Sequence, residues 1–234
     1  MKLSRIAGAA GAAMLGAFTS VIGVGAPTAA AQQPCPDVEV VFARGTSEPA
    51  GVGGVGQSFV DAVRAQAAPR SVGVYAVNYP AGNNFADGPL FAQTVIDGIR
   101  DAGNHLQSMS DVCPNTRMIL GGFSQGAVVS GFTTSATVPS SVPAAVAPAP
   151  LPPEVAEHVA AVVLFGTPSG PFLQRYGAPA ITIGPLYADK TLQLCEPGDS
   201  ICNGAPDGGP NLPHSLYGVN GKTNEGASYA VGRL

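Results

Sequence analysis

"MILGGFSQGAVVSG", Met118 to Gly131, decides how this chain folds. It opens as an apolar run fit for a buried strand and ends as a run of small residues fit for a helix, with Ser124 at the bend. A strand that turns sharply into a helix can expose a side chain above a sheet only where its neighbours are nearly bare. Gly122 and Gly126, with Gly121 behind them, supply that room, and "GFSQG" matches the G-x-S-x-G pattern of a serine nucleophile held in a strained turn. In a chain with 31 glycines the pentapeptide alone says little. The strand before it and the helix after it give it weight.

Working outward, strand and helix patterns alternate. "DVEVVFARG" (Asp37 to Gly45) is a β-branched run, and after a glycine-rich loop "GQSFVDAVRAQA" puts Phe59, Val60, Val63 and Ala67 on one helical face. "SVGVYAVNY" (Ser71 to Tyr79) reads as a second strand, and Pro89 opens a long helix with an apolar stripe of Phe91, Val95, Ile99 and Leu106. Arg117 to Phe123 is the third strand and Gln125 to about Thr134 the third helix. "HVAAVVLFGTP" ends a fourth strand near Gly166, "KTLQLC" is a short fifth, and "TNEGASYAVGRL" closes with a helix. Nearly continuous apolar strands alternating with helices imply a parallel sheet covered on both faces, with ligands at the carboxyl ends of its strands. Residues 137–153 form a Pro/Ala-rich stretch that cannot hold regular structure; too little chain follows for a separate core, so it reads as a surface excursion.

Residues 1–31 read as a secretory signal peptide: Lys2 and Arg5, an apolar run from Ile6 to Ala26, then Ala29, Ala30 and Ala31. The alternative, a membrane anchor, fits the length but not the Gly and Ala content or the small residues that follow. The remaining residues, 32–234, make one domain with no integral membrane span. Lys2 and Arg5 are two of 11 basic residues, so the rest carries nine against 15 acidic, a net charge of −6. With no basic cluster, that balance excludes a nucleic-acid partner. The four cysteines, Cys35, Cys113, Cys195 and Cys202, suit two disulfides in an exported protein. Three pairings are open, and proximity favours Cys195 with Cys202, leaving Cys35 with Cys113. A zinc site is the rival, but the spacing matches no zinc pattern and there are three histidines in all.

A serine hydroxyl needs a base to take its proton and an acid to orient that base, in the chain order Ser, Asp or Glu, His. His105 precedes Ser124, and His158 comes before the fourth strand, too early for an acid to lie between at a later strand end. His214, in "GGPNLPHSLYG", remains. Among Glu154, Glu157, Asp189, Glu196, Asp199 and Asp207, Asp199 is favoured, because "CEPGDSIC" follows the fifth strand inside a loop that a bridge would hold still. For the oxyanion, the backbone N–H of Gln125 is one donor by position, and Thr46 in "ARGTSEP" offers its N–H and hydroxyl. "GVGGVG" (Gly51 to Gly56) satisfies G-x-G-x-x-G, yet it starts too far beyond the first strand, and no acid ends the second. A dinucleotide is therefore not expected, nor any other cofactor or metal.

Together "VVFARGTSEPAGVGGVG", "GGFSQGAVV", "CEPGDSIC" and a late "PH" resemble the cutinase family of secreted α/β-hydrolases, most closely its Ala- and Pro-rich mycobacterial members. The resemblance implies a three-layer α/β-hydrolase sandwich around a central, mostly parallel five-stranded sheet with no large lid. It implies Ser124 as nucleophile with Asp199 and His214, an oxyanion hole from Thr46 and Gln125, and bridges Cys35–Cys113 and Cys195–Cys202. It further implies a secreted, monomeric serine esterase acting through an acyl-enzyme on esters of short to medium acyl chains. Lipids and cutin-like polyesters share that chemistry, although the Pro-rich excursion and the residues around His214 depart from the fungal pattern and make polymer cutin a poor fit. An acyltransferase with the same triad and a non-catalytic envelope lipid-binding protein are the rivals. Phe85, Leu90, Leu212 and Leu216 are candidate rim residues of the cleft, although ordinary packing is the favoured reading for any one of them.

Overall fold

In the computed structural model, residues 34–205 and 207–234 are described; the expected signal peptide lies outside them. β-branched and aromatic runs form five strands: β1 Val38–Ala43, β2 Val72–Ala76, β3 Arg117–Phe123, β4 Val159–Phe165 and β5 Thr191–Leu194. All are parallel, in the order β2-β1-β3-β4-β5. The central strands are buried on both faces, which is why they read as continuous apolar runs.

Successive side chains alternate between faces, so each strand feeds two cores. Val38, Val40, Phe42, Ile119, Val163 and Phe165 pack beneath α1 (Gly53–Ala67) and α8 (Lys222–Val231). Val41, Ala43, Met118, Leu120, Val162 and Leu164 face α2 (Gly88–Val112) and α3 (Gln125–Thr133). The chain runs from β1 outward to β2, then returns across β1 to β3. That reversal opens a crevice at the carboxyl ends of β1 and β3, where Thr46 and Ser124 follow their strands.

Several boundaries differ from expectation. β2 stops at Ala76 rather than Tyr79: the residue before Pro80 is steered out of regular pairing, and the Tyr79 side chain turns into the core. β4 starts at Val159, because Pro153–His158 forms a short helix, α4, opened by Pro153. α5 (Gly170–Arg175), α6 (Pro185–Ala188) and α7 (Leu212–Ser215) were likewise unsignalled, being too short for a periodic apolar stripe.

Candidate active site

Ser124 sits between β3 and α3 with φ 54° and ψ −117°, a conformation that L-residues rarely adopt. Its N–H donates to the Phe165 carbonyl on β4 at 2.9 Å, and its carbonyl accepts the first bonds of α3. Both flanking glycines are required by space. A Cβ on Gly122 would overlap the Gly126 carbonyl, and one on Gly126 would overlap the carbonyl of Ala43 in β1. Ser47 and Ala81 are the other non-glycine residues at positive φ among the described residues, and a bond from Ser47 N to Ala81 O joins their loops. Backbone strain thus gathers beyond the carboxyl ends of β1, β2 and β3.

His214 lies on α7, whose N-cap Asn211 accepts from the His214 N–H, and its ring rests on Gly166, where a Cβ would approach Cε1 to 3.0 Å. Its Nε2 is 2.9 Å from Ser124 Oγ and its Nδ1 2.8 Å from Asp199 Oδ2. Asp199 is wholly buried, and Ser124 is half-exposed. Burial alone would raise the Asp199 carboxyl. Hydrogen bonds from His214, the Tyr217 hydroxyl and the Ile201 N–H outweigh it and hold the carboxyl below its usual range. With an ionised Asp199 accepting from Nδ1–H, the Nε2 lone pair is left facing the serine hydroxyl.

Both disulfides are present, Cys35–Cys113 and Cys195–Cys202. The second closes the loop that carries Asp199. Cys195, Asp199 and Cys202 bring potential metal ligands within 4.8 Å of one another, but the sulfurs are bonded to each other and offer no thiolate.

Gln125 is buried at the start of α3, where backbone N–H groups have no helical acceptor, and Thr46 stands across the same cavity. What shapes the Thr46 turn was not anticipated. The Glu48 carboxylate accepts from the N–H groups of Gly45 and Gly54, while the buried Arg44 guanidinium donates to the carbonyls of Glu48 and Tyr79. Here "GVGGVG" finds its explanation. Gly53 has φ +73°, and a side chain there would collide with the Glu48 carboxylate. Gly53 and Gly54 wrap a carboxylate that organises the loop, while Gly56 makes room for Phe42, and the signal lay within the quoted "ARGTSEP".

Tyr217, also fully buried, was missed; its spacing three residues beyond His214 was the available clue. Of the rim candidates, Phe85 lines the cavity, packed on Phe91 and Tyr176. Leu90, Leu212 and Leu216 are not among the lining residues, and the first two are exposed. His105 belongs elsewhere: on α2, it bonds Glu39 and stacks on Tyr75.

Comparison with known proteins identifies the family. The chain is 60% identical over 169 residues to a probable carboxylesterase, Culp7, of Mycobacterium tuberculosis (strain ATCC 25618 / H37Rv), covering 72% of this chain and 88% of that protein. It is 43% identical over 208 residues to the carboxylesterase Culp1 of the same strain, covering 88% and 85%. Among solved structures, Trichoderma reesei cutinase bound to a C11Y4 phosphonate inhibitor superposes with a TM-score of 0.60 at 31% identity, over 85% of this chain and 77% of that one. The family model described as cutinase matches residues 34–234, so the chain belongs to the cutinase family and, with it, to the serine carboxylic ester hydrolases of the α/β-hydrolase fold.

Proposed function

We propose that this protein is a secreted, monomeric serine esterase that cleaves carboxylic esters through an acyl-enzyme. The observation that carries the reading is the unbroken line of hydrogen bonds from Ser124 Oγ through His214 to Asp199. In the reaction, Ser124 Oγ attacks the ester carbonyl carbon while His214 Nε2 takes its proton. The carbonyl oxygen gains negative charge and accepts from the backbone N–H of Gln125 and from Thr46. The tetrahedral intermediate then collapses: its bond to the alkoxide breaks, His214 gives that oxygen the proton, the alcohol departs, and the acyl group stays on Ser124 Oγ as a seryl ester. Water, deprotonated by the same imidazole, attacks that ester, and the proton returns to Ser124 Oγ as the acid leaves.

Asp199 stays ionised throughout, stabilising the imidazolium and fixing its tautomer. Export through the signal peptide is supported by the disulfides, which persist in oxidising compartments. No described helix is long and apolar enough to cross a membrane.

The test is turnover of p-nitrophenyl butanoate by the mature protein and by Ser124→Ala, with mass spectrometry of the quenched wild-type enzyme. Loss of turnover in the variant and a butanoyl adduct on Ser124 in the wild type are expected. Equal turnover by the two proteins would refute the reading.

A further inference from the structure

Ser124 lines a cavity of about 800 Å³ that reaches well beyond anything bond cleavage needs. α2 supplies one wall, with Ala92, Ile96, Ile99 and Gly103 lining it at helical spacing. From Gly88, which also lines it, to Gly103 the helix rises about 22 Å at roughly 1.5 Å per residue. Val128 and Phe132, one and two turns along α3 from Gln125, form the opposite wall.

The outer wall is the proline-rich excursion, through Val142, Pro148 and Leu151. Arg100 on α2 donates to the Val146 carbonyl at 2.6 Å, tying the excursion across the helix. At the far end Leu151 would lie 3.6 Å from a Cβ on Gly103. Prolines suit such a wall, since they carry no N–H that would require water. Among the described residues no Asp, Glu, Lys or Arg lines the channel, and His214 lines it beside Ser124.

We propose that this channel holds the acyl chain of long-chain fatty esters, with the excursion as its outer wall. The proposal rests on the serine-esterase reading of Ser124. The alcohol portion of a lipid ester carries polar groups, whereas the acyl chain is hydrocarbon throughout, and a wall without charge matches the latter. One leaflet of a bilayer is about 15 Å of acyl chain, half of a core roughly 30 Å thick, so a channel about 22 Å long takes such a chain entire. A short acyl group leaves most of the wall facing water. Each further methylene buried there strengthens transition-state binding roughly fourfold. The preferred chain is therefore longer than the short to medium range that family resemblance implies.

The experiment measures kcat/KM for p-nitrophenyl palmitate and p-nitrophenyl butanoate, with the palmitate dispersed in submicellar detergent, for wild type, Ile99→Trp, Gly103→Leu and Ser124→Ala. The wild type should favour palmitate. Either channel variant should lower the palmitate-to-butanoate ratio by about tenfold or more, the worth of about two displaced methylenes. Taken on one preparation, the ratio is insensitive to a partly folded fraction. A ratio that both variants leave within about twofold, less than one methylene is worth, overturns the channel. Turnover of both esters persisting in Ser124→Ala would instead overturn the serine reading beneath it.

Discussion

The hydroxyl of Tyr217 donates to Oδ2 of Asp199 at 2.7 Å, the oxygen that also accepts from Nδ1 of His214 at 2.8 Å. The phenol accepts in turn from the Glu196 N–H at 2.8 Å, so the carboxylate is held from two loops. Burial first, and then the charge of Asp199, push the Tyr217 hydroxyl up and keep it protonated as a donor. Tyr217→Phe keeps the ring packing on Phe123 and Phe165 but removes this bond. Hydrogen bonds to charged groups are worth about 1.5 to 3 kcal/mol, so kcat on p-nitrophenyl butanoate should fall about tenfold or more. KM should change little. An unchanged kcat would show that the tyrosine serves packing alone.

Glu48 makes the corresponding arrangement beside Thr46, the proposed oxyanion donor. Its carboxylate bridges the N–H groups of Gly45 and Gly54, and Gly45 immediately precedes Thr46. Glu48→Gln replaces one acceptor oxygen by a donor that faces a second donor. We expect a loss of about 1 to 3 kcal/mol in stability, read from urea unfolding, and a kcat/KM reduced by about tenfold. Unaltered kinetics beside reduced stability would separate this turn from catalysis.

The two disulfides should have crossed effects. Cys35–Cys113 spans 78 residues and ties the start of the described chain to the end of α2; removing it by paired alanines should cost about 4.5 kcal/mol by loop-closure entropy and leave turnover of the folded protein nearly intact. Cys195–Cys202 spans only seven residues but encloses Asp199. Its removal should cost less, roughly 2.5 kcal/mol, while lowering kcat further than the long bridge does. Urea unfolding and steady-state kinetics on both double variants check the crossing; parallel effects would refute it.

Acid should act through Asp199. Its folded-state carboxyl lies below the ordinary value of about 3.9, so its contribution to stability is complete above that pH and is lost as pH falls through the lowered value. Melting temperatures of wild type and Asp199→Asn should therefore differ most near neutral pH and converge on acidification below about pH 4. A gap that widens in acid would contradict the lowered carboxyl.

The strand–serine–helix bend, the alternation of elements and the parallel sheet were legible because each is written in short-range pattern: apolar continuity, a glycine either side of Ser124, a helical stripe on α2. The short helices α4 to α7 were not, since four to six residues carry no periodicity, and their starts are set by Pro and cap residues. Chain order and elimination named Ser124, Asp199 and His214. The same reasoning gave no view of Tyr217 or of the Arg44–Glu48 support, whose partners are assigned by packing across loops. Three of the four rim candidates failed to line the cavity because closeness in sequence to a site residue does not say which way a side chain turns: Leu90 and Leu212 lie in α2 and α7 and face outward.

By itself the sequence determined where a reactive serine can stand, because strand pairing, helix faces and the space that glycines leave are local properties of neighbouring residues. Tertiary structure alone decided how its partners meet that serine and what else surrounds them. His214 reaches it across 90 residues and Asp199 meets His214 across 15, distances that only the sheet and its loops can close. The proline-rich stretch, read from composition as a surface excursion, became a channel wall when α2 lay beneath it. Burial and alignment depend on which distant segments share a volume, and no short window of sequence encodes that.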